Sequence, residues 1–473
     1  MKRFLLLAAV LLVVGSAAFV FLRSPGGESS SEPVAFEVFF TADTNGRIEP
    51  CGCFTGQLGG LTRVSSFLPA PKGARLLYEI GDAISGAADY QVIHYDYLLD
   101  AYGTIGFTAV NLGHREAGLS ASELRDAASE SPVPLISANL LDEATREPVV
   151  KPWVLSEIPA PEAAGDSPRT LRVATIGVVD PGPVQDAEGD GVVLVRMEEG
   201  IRNHLEEMKS EADLLVCLAF ADQNRLKELA NEFFEFDLIL GGDVGQPSST
   251  ATLVNRTWIH ATTNEARALG EVRGFYDPST REVREVSGKV SLMIEEIPQD
   301  PEVKKFSSQY REDIRDIELA VDTPGGDTSG RVPGVAPPAS YVGSAACAGC
   351  HPKAFEVWSE TGHAHAFDSL LLTRSDADPS CVQCHTVGFA EPTGYQRSFE
   401  GTRLAHVGCE NCHGPGSEHV ALRSTASPGQ EVALKMRPVG AGQCIQCHHG
   451  EFSRPFDWDQ FWPLIKHGKE SEN

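Results

Sequence analysis

The 473-residue chain carries 39 Lys and Arg against 66 Asp and Glu, a formal net charge of −27. That balance argues against nucleic acid and anionic lipid headgroups as partners, because both require a basic surface. Of the 11 cysteines, eight lie in the last third at one repeated spacing, and only Cys51, Cys53 and Cys217 lie elsewhere.

The chain opens on a targeting segment, residues 1–24. Lys2 and Arg3 precede an uncharged run from Phe4 to Leu22, closed by Arg23. As a helix this run spans about 28 Å, enough for a bilayer core. Two outcomes stay open: an uncleaved membrane anchor, or a signal peptide cut near Ser16-Ala17-Ala18. In both, Lys2 and Arg3 stay inside and the rest is exported. The expected location is the bacterial periplasm, with the chain anchored to the inner membrane by this helix or released from it. Residues 25–34 form a Gly/Ser/Glu-rich linker.

From residue 35 to about 318 strands and helices alternate. Ala35–Asp43, Leu76–Asp82, Thr108–Gly113, Val133–Asn139, Leu171–Asp180, Asp213–Ala221 and Phe236–Asp243 read as strands. Val92–Gly106, Ser120–Glu130 (with Ser120 as cap), Glu198–Ala212, Asp222–Phe234 and Asp300–Glu318 read as helices. From Trp258 to Met293 the pattern is that of antiparallel strands. Alternation of this kind predicts an α/β fold. Several strands end on polar residues, among them Asp43, Asp82, His114 and Asp243, where α/β sites lie.

A Pro/Gly-rich linker, residues 319–340, leads into the last segment, 341–473. There Cys-x-x-Cys-His occurs four times, as Cys347-Cys350-His351, Cys381-Cys384-His385, Cys409-Cys412-His413 and Cys444-Cys447-His448. Two thiols three positions apart reach the two vinyl groups on one haem edge, and the adjacent histidine falls under the iron. Zinc requires only the Cys-x-x-Cys pairs and leaves the four histidines unexplained. Four covalent c-type haems are therefore expected. The segment has few long apolar runs of its own, so the haems supply its apolar mass.

The first unit resembles the calcineurin-like metallophosphoesterases of the periplasmic 5′-nucleotidase type. The matching stretches are Asp43-Thr44-Asn45-Gly46, Gly81-Asp82, Gly113-His114-Arg115-Glu116, Leu218-Ala219-Phe220 and Gly242-Asp243-Val244-Gly245. The resemblance implies a four-layer αββα sandwich and a metal site built from Asp43, Asn45, Asp82, His114 and Asp243. Of the family's usual ligands only Asp43 and Asp82 are retained. Asn45, Arg115, Phe220 or its neighbours, Asp243 and Gly245 stand where histidines are usual, and His114 stands where the bridging asparagine is usual. Two cations about 3.5–4 Å apart are needed for hydrolysis, so the departures predict weak or no phosphatase activity. One divalent metal (Mn, Fe or Zn) is what the remaining donors suit. Beside this loop, Pro50-Cys51-Gly52-Cys53 looks like the signature of a branch of exported 5′-nucleotidase-like proteins. Cys51, Cys53 and Arg115 are candidate catalytic residues; a disulfide involving Cys51, Cys53 or Cys217 is the structural alternative. Cys217, within an apolar strand, reads as a core residue.

The last segment resembles the tetrahaem cytochrome c family that carries electrons from hydroxylamine oxidation. The match rests on Tyr341-Val342-Gly343-Ser344, Trp358–Ala366, Gly408–Gly416 with His419, and Trp462–His467. It implies a mainly α, haem-packed domain with His363, His419 and His467 as distal ligands and His365 next in line, leaving at most one open haem face. The expected function is electron transfer, with a redox partner protein or a quinone-linked donor or acceptor. The alternatives are a metal-dependent phosphoesterase, or an oxidoreductase acting on an inorganic sulfur or nitrogen compound.

Overall fold

The computed structural model describes residues 32–50, 57–69, 75–159, 170–182, 189–263, 265–317, 339–397, 403–427, 436–449 and 456–467. The expected targeting segment, residues 1–24, and residues 51–53 lie outside them. Among the described residues no helix is long and apolar enough to cross a membrane.

Two six-stranded sheets carry the α/β unit. In chain order the strands are β1 (Val34–Thr41), β2 (Leu76–Glu79), β3 (Ala109–Asn111), β4 (Leu135–Ile136), β5 (Leu140–Asp142), β6 (Trp153–Pro159) and β7 (Thr170–Val179). They continue with β8 (Val192–Leu194), β9 (Leu214–Phe220), β10 (Leu238–Gly241), β11 (Thr252–Val254), β12 (Thr257–Ala261), β13 (Ala268–Asp277) and β14 (Glu282–Leu292). The sheet orders are β14-β13-β1-β2-β3-β4 and β11-β12-β10-β9-β7-β6, with β5 and β8 as a separate pair. β1 to β4 are mutually parallel, as are β7, β9, β10 and β12. The expectation of antiparallel strands from Trp258 holds for β13 and β14 but needs correcting for β12. That strand is antiparallel to β11 and parallel to β10. Its hairpin hides a crossover that local turn chemistry does not reveal.

The layers follow from strands that are apolar on both faces. Phe36, Val38, Phe40 and Tyr78 of the first sheet meet Val173, Val216, Leu218 and Leu240 of the second. Phe39 and Leu77 turn outward against Tyr95, Leu98 and Tyr102 of the helix Asp89–Ile105. On the far side Ile176, Cys217 and Ile239 pack on Met197, Ile201, Met208, Leu226 and Leu229 of the helices Met197–Glu211 and Gln223–Glu232. This is a four-layer αββα sandwich. Cys217 is a core residue, its thiol pushed up by burial. Polar pins cross the apolar interior: Tyr78 Oη lies 2.7 Å from Thr175 Oγ1, and Asn111 Nδ2 donates to the carbonyls of Ile80 and Val178. Ser120 caps its helix with a reciprocal bond to Glu123, as expected.

After residue 338 the described secondary structure is helical. Among the described residues the principal buried apolar cluster there is small, namely Tyr341, Leu370, Val382, Val387, Tyr395 and Leu404. So small a cluster does not hold a domain of this length together on its own. Polar anchors assist it. Buried Glu410 accepts from the backbone N–H groups of Val342, Gly343 and Gly416 at 2.7–3.1 Å. Asn411 Nδ2 donates to the Thr386 carbonyl, tying the third motif to the second.

Candidate functional site

The ends of β1 and β2 build the α/β cleft. Asp43 N–H donates to Gly81 O, Asn45 N–H to Asp82 O and Gly46 N–H to Ala83 O, at 2.7–3.0 Å. Asp43, Asn45 and Asp82 all take positive φ, at 49°, 51° and 58°. Such backbone is uncommon outside glycine and concentrates at functional sites. Buried Glu116 accepts from the N–H groups of Asp82, Ile84 and Gly113, locking the loop that presents His114 and Arg115. Burial and then Asp82 push its carboxyl up to about 8.

Arg115 occupies the centre of the cleft. Its Nη1 pairs with Asp43 Oδ1 and lies 3.2 Å from Asp82 Oδ2, while its backbone N–H donates to Asp82 Oδ1. Burial raises the Asp82 carboxyl despite the opposing pull of Arg115. Phe220, at the end of β9, fills the rest. A Cβ on Gly81 or Gly242 would fall 2.9 or 2.5 Å from its ring, so both positions require glycine. His114 stacks edge-on against Phe220 at 5.3 Å and its Nε2 donates to the Asp180 carbonyl. Asp243 is near enough to His114 and Asp43 to feel their charges, and burial raises its carboxyl.

These residues do not fit a two-cation centre. Among the described residues no three His, Cys, Asp or Glu side chains form a metal-holding group. The set Asp43, Asn45, Asp82, His114 and Asp243 is thus brought to one cleft but not arranged as ligands. A guanidinium stands between the two retained aspartates, and a phenyl ring stands where a later histidine was expected.

The haem motifs are arranged differently. The His351 and His419 rings face each other at a centroid separation of 6.3 Å, His363 and His448 at 6.0 Å, and His413 and His467 at 5.9 Å. Metal–imidazole bonds are about 2 Å long, so each gap has room for one metal between two imidazoles. Each of the favoured histidines, His363, His419 and His467, therefore stands opposite a motif histidine. The Nδ1 of His385 donates to the Ala366 carbonyl at 2.6 Å and that of His413 to the Arg437 carbonyl at 3.0 Å. Those bonds fix the tautomer and leave Nε2 for iron. The observed donor set fits covalent c-type haem.

His365, ranked next as a ligand, is placed apart from the three facing pairs. Its ring is two-thirds exposed beside Asp368, and among the described residues it faces no motif histidine. His406 packs edge-on against Phe367 and accepts its N–H. Among the described residues no second histidine faces His385.

Neighbouring thiols give the motifs an order. The Cys347 thiol lies close to Cys409, and the Cys384 thiol close to Cys447. Cys412 lies within electrostatic reach of Cys444. The first motif thus adjoins the third, the third the fourth, and the fourth the second.

Sequence reasoning missed His94 and Tyr310. The His94 ring lies 4.5 Å edge-on from Tyr310, and its Nδ1 is 3.2 Å from where a Cβ on Gly46 would stand. Burial, with Arg311 and Arg47, pushes His94 down to about 4. The available signal was an aromatic stripe, Tyr90, His94 and Tyr97, at helical spacing.

Residues 346–414 match the family described as cytochrome c554 and c-prime. Cytochrome c-554 of Nitrosomonas europaea is 35% identical over 104 residues, 19% of this chain and 43% of that protein. A 2′,3′-cyclic-nucleotide 2′-phosphodiesterase/3′-nucleotidase of Salmonella typhimurium is 28% identical over 177 residues, 34% of this chain and 27% of that protein. The chain thus spans less than half the length of either relative. The structure of the sulfate thiohydrolase SoxB of Thermus thermophilus superposes with a TM-score of 0.50 at 14% identity, covering 59% of this chain and 61% of that one, and shows the fold alone. This polypeptide joins a part similar to 5′-nucleotidases and calcineurin-like phosphoesterases to a C-terminal cytochrome matching the cytochrome c554 family.

Proposed function

We propose that the chain is an exported electron-transfer protein, with four c-type haems forming one relay in the order first, third, fourth, second motif. The observation that carries this reading is the set of three facing histidine pairs. When bound, haem supplies a one-electron couple at iron. The cysteines of each motif would hold it, and the motif histidine would present Nε2 to it. For the first, third and fourth motifs the facing histidine would hold the iron from its second side, so that no ligand is exchanged when the charge changes. The redox partner is a protein or a quinone-linked donor or acceptor, met in the periplasm.

The α/β unit acts in this reading as a binding or docking module rather than a hydrolase. Arg115 supplies Asp43 and Asp82 with a built-in cation, and Phe220 excludes solvent from the strand ends. A second reading, an oxidoreductase acting on an inorganic sulfur or nitrogen compound, draws on one observation. His385 has no facing histidine among the described residues, and an open haem face binds small molecules.

The test is a coulometric titration of the exported protein, together with its intact mass. Four covalent haems and four electrons per chain are expected. Fewer haems, or haems that accept no electrons, contradict the relay. Phosphodiester turnover with Mn²⁺ at roughly 1–10³ s⁻¹, lost in Asp82→Ala, would instead establish the hydrolase.

A further inference from the structure

The helix Pro301–Asp316 lies between the α/β cleft and the second haem motif. On one side Ser307, Arg311 and Lys304 hold the Glu49 carboxylate at 2.6, 2.7 and 2.9 Å. On the other, Tyr310 is buried against Ala377, within electrostatic reach of buried Asp378. Asp378 caps the helix Pro379–His385, which carries Cys381, Cys384 and His385, and accepts from Ser380 N–H at 2.9 Å. The ring of Tyr310 packs on His94, which in turn stands against Gly46 in the loop of Asp43. The contact is a built junction. Tyr310, Ile314 and Ala377 are buried in it with Tyr90, Ile93 and Tyr97 around them. Arg315 pairs with Asp376, Arg374 with Glu312 at 2.8 Å, and Arg397 donates to the Arg315 carbonyl at 2.7 Å.

We propose that the second haem motif is the relay's port onto the α/β unit, and that Tyr310, gripped between His94 and Asp378, is the positioning residue that sets the reduction equilibrium of the haem attached at Cys381 and Cys384. The proposal rests on the electron-transfer reading above. The neighbour order leaves the second motif at one end of the relay, and this end is the one packed on the helix Pro301–Asp316. A carboxylate beside a redox iron favours its oxidised, more positive state. The neutral Tyr310 hydroxyl, within electrostatic reach of that carboxylate, disperses its charge, and burial keeps the phenol protonated. Removing the hydroxyl leaves more charge near the iron and makes reduction harder. Removing the charge makes reduction easier.

The experiment is a potentiometric titration of full-length holoprotein, with the haem signals resolved by electron paramagnetic resonance, for wild type, Tyr310→Phe and Asp378→Asn. Phenylalanine keeps the ring, and asparagine caps helices as well as aspartate does. In Tyr310→Phe one haem should become about tenfold harder to reduce, about 59 mV for one electron. In Asp378→Asn the same haem should shift the opposite way, with the other three unmoved. Shifts of one sign, shifts spread over all haems, or no shift in protein that takes up four electrons overturn the proposal alone. Wild-type haems that take up no electrons overturn the electron-transfer reading and the proposal with it.

Discussion

At the strand ends of the α/β unit, Arg115 spans Asp43 and Asp82, and Phe220 fills the space between Gly81 and Gly242. In the haem region, by contrast, His351 and His419, His363 and His448, and His413 and His467 stand across open gaps of 5.9–6.3 Å. One cleft is completed by its own side chains; the other is shaped around a guest. The cores differ in the same sense. Among the described residues the α/β unit buries several extensive apolar clusters, whereas the cytochrome's principal cluster comprises six residues, supplemented by polar anchors and by motifs that fit covalently held haem. A retained fold therefore does not carry a retained site.

The comparison breaks most severely at Glu410. Its carboxylate satisfies three backbone donors between the first and third motifs. Glu410→Ala leaves all three buried and unpaired, at about 1–3 kcal/mol each. Holoprotein denaturation followed at the haem absorbance should show the cytochrome losing about 4 kcal/mol while the α/β unit keeps its midpoint. A common shift of both would mean that the two cores are not independent.

Glu79 probes the closed side. It accepts from Thr41, Thr44 and Tyr102, yet burial pushes its carboxyl up to about 7 from an ordinary 4.5. Its contribution is fully present below about pH 4.5. Stability then falls as the pH rises toward 7, because the unfolded chain ionises first. The slope is about 1.4 kcal/mol per pH unit, roughly 3 kcal/mol in all. Glu116, pushed up to about 8, adds to the fall. Urea unfolding of the α/β unit at about pH 5 and about pH 7.5 should show this loss, and Glu79→Gln should remove its own share. Equal wild-type stability at the two pH values would refute the assignment.

Reopening the closed cleft is the subtler test. Arg115→Ala leaves Asp43 and Asp82 facing each other without their cation, and about 2 kcal/mol of stability should be lost. The same variant should gain Mn²⁺ binding in calorimetry, and Mn²⁺ should restore part of the thermal midpoint. A variant as indifferent to Mn²⁺ as wild type would show that Phe220 and the lost histidines, not Arg115, bar the metal.

Much of this was legible in sequence, for identifiable reasons. β1, β2, β7, β9 and β10 are buried on both faces, so they read as apolar runs ending at Asp43, Asp82, Asp180, Ala221 and Asp243. The haem motifs are local in the chain and so were visible as spacing. The partner of each motif histidine was not visible, because His363 reaches the fourth motif, His419 the first and His467 the third. Such pairings are tertiary. For the same reason Arg115 could be seen as a departure from the phosphoesterase pattern, but not as the cation seated on Asp43. The junction through His94 and Tyr310 joins elements more than two hundred residues apart, and only its aromatic stripe left a trace in the sequence.

The most direct test of the facing-histidine account is electron paramagnetic resonance of the oxidised holoprotein and of His467→Ala. Wild type should show three low-spin haems and one high-spin haem, the latter at His385. In the variant the haem at His413 should lose its second ligand, giving two low-spin and two high-spin signals and a new site for carbon monoxide. An unchanged spectrum in His467→Ala, or four low-spin haems in wild type, would contradict the account.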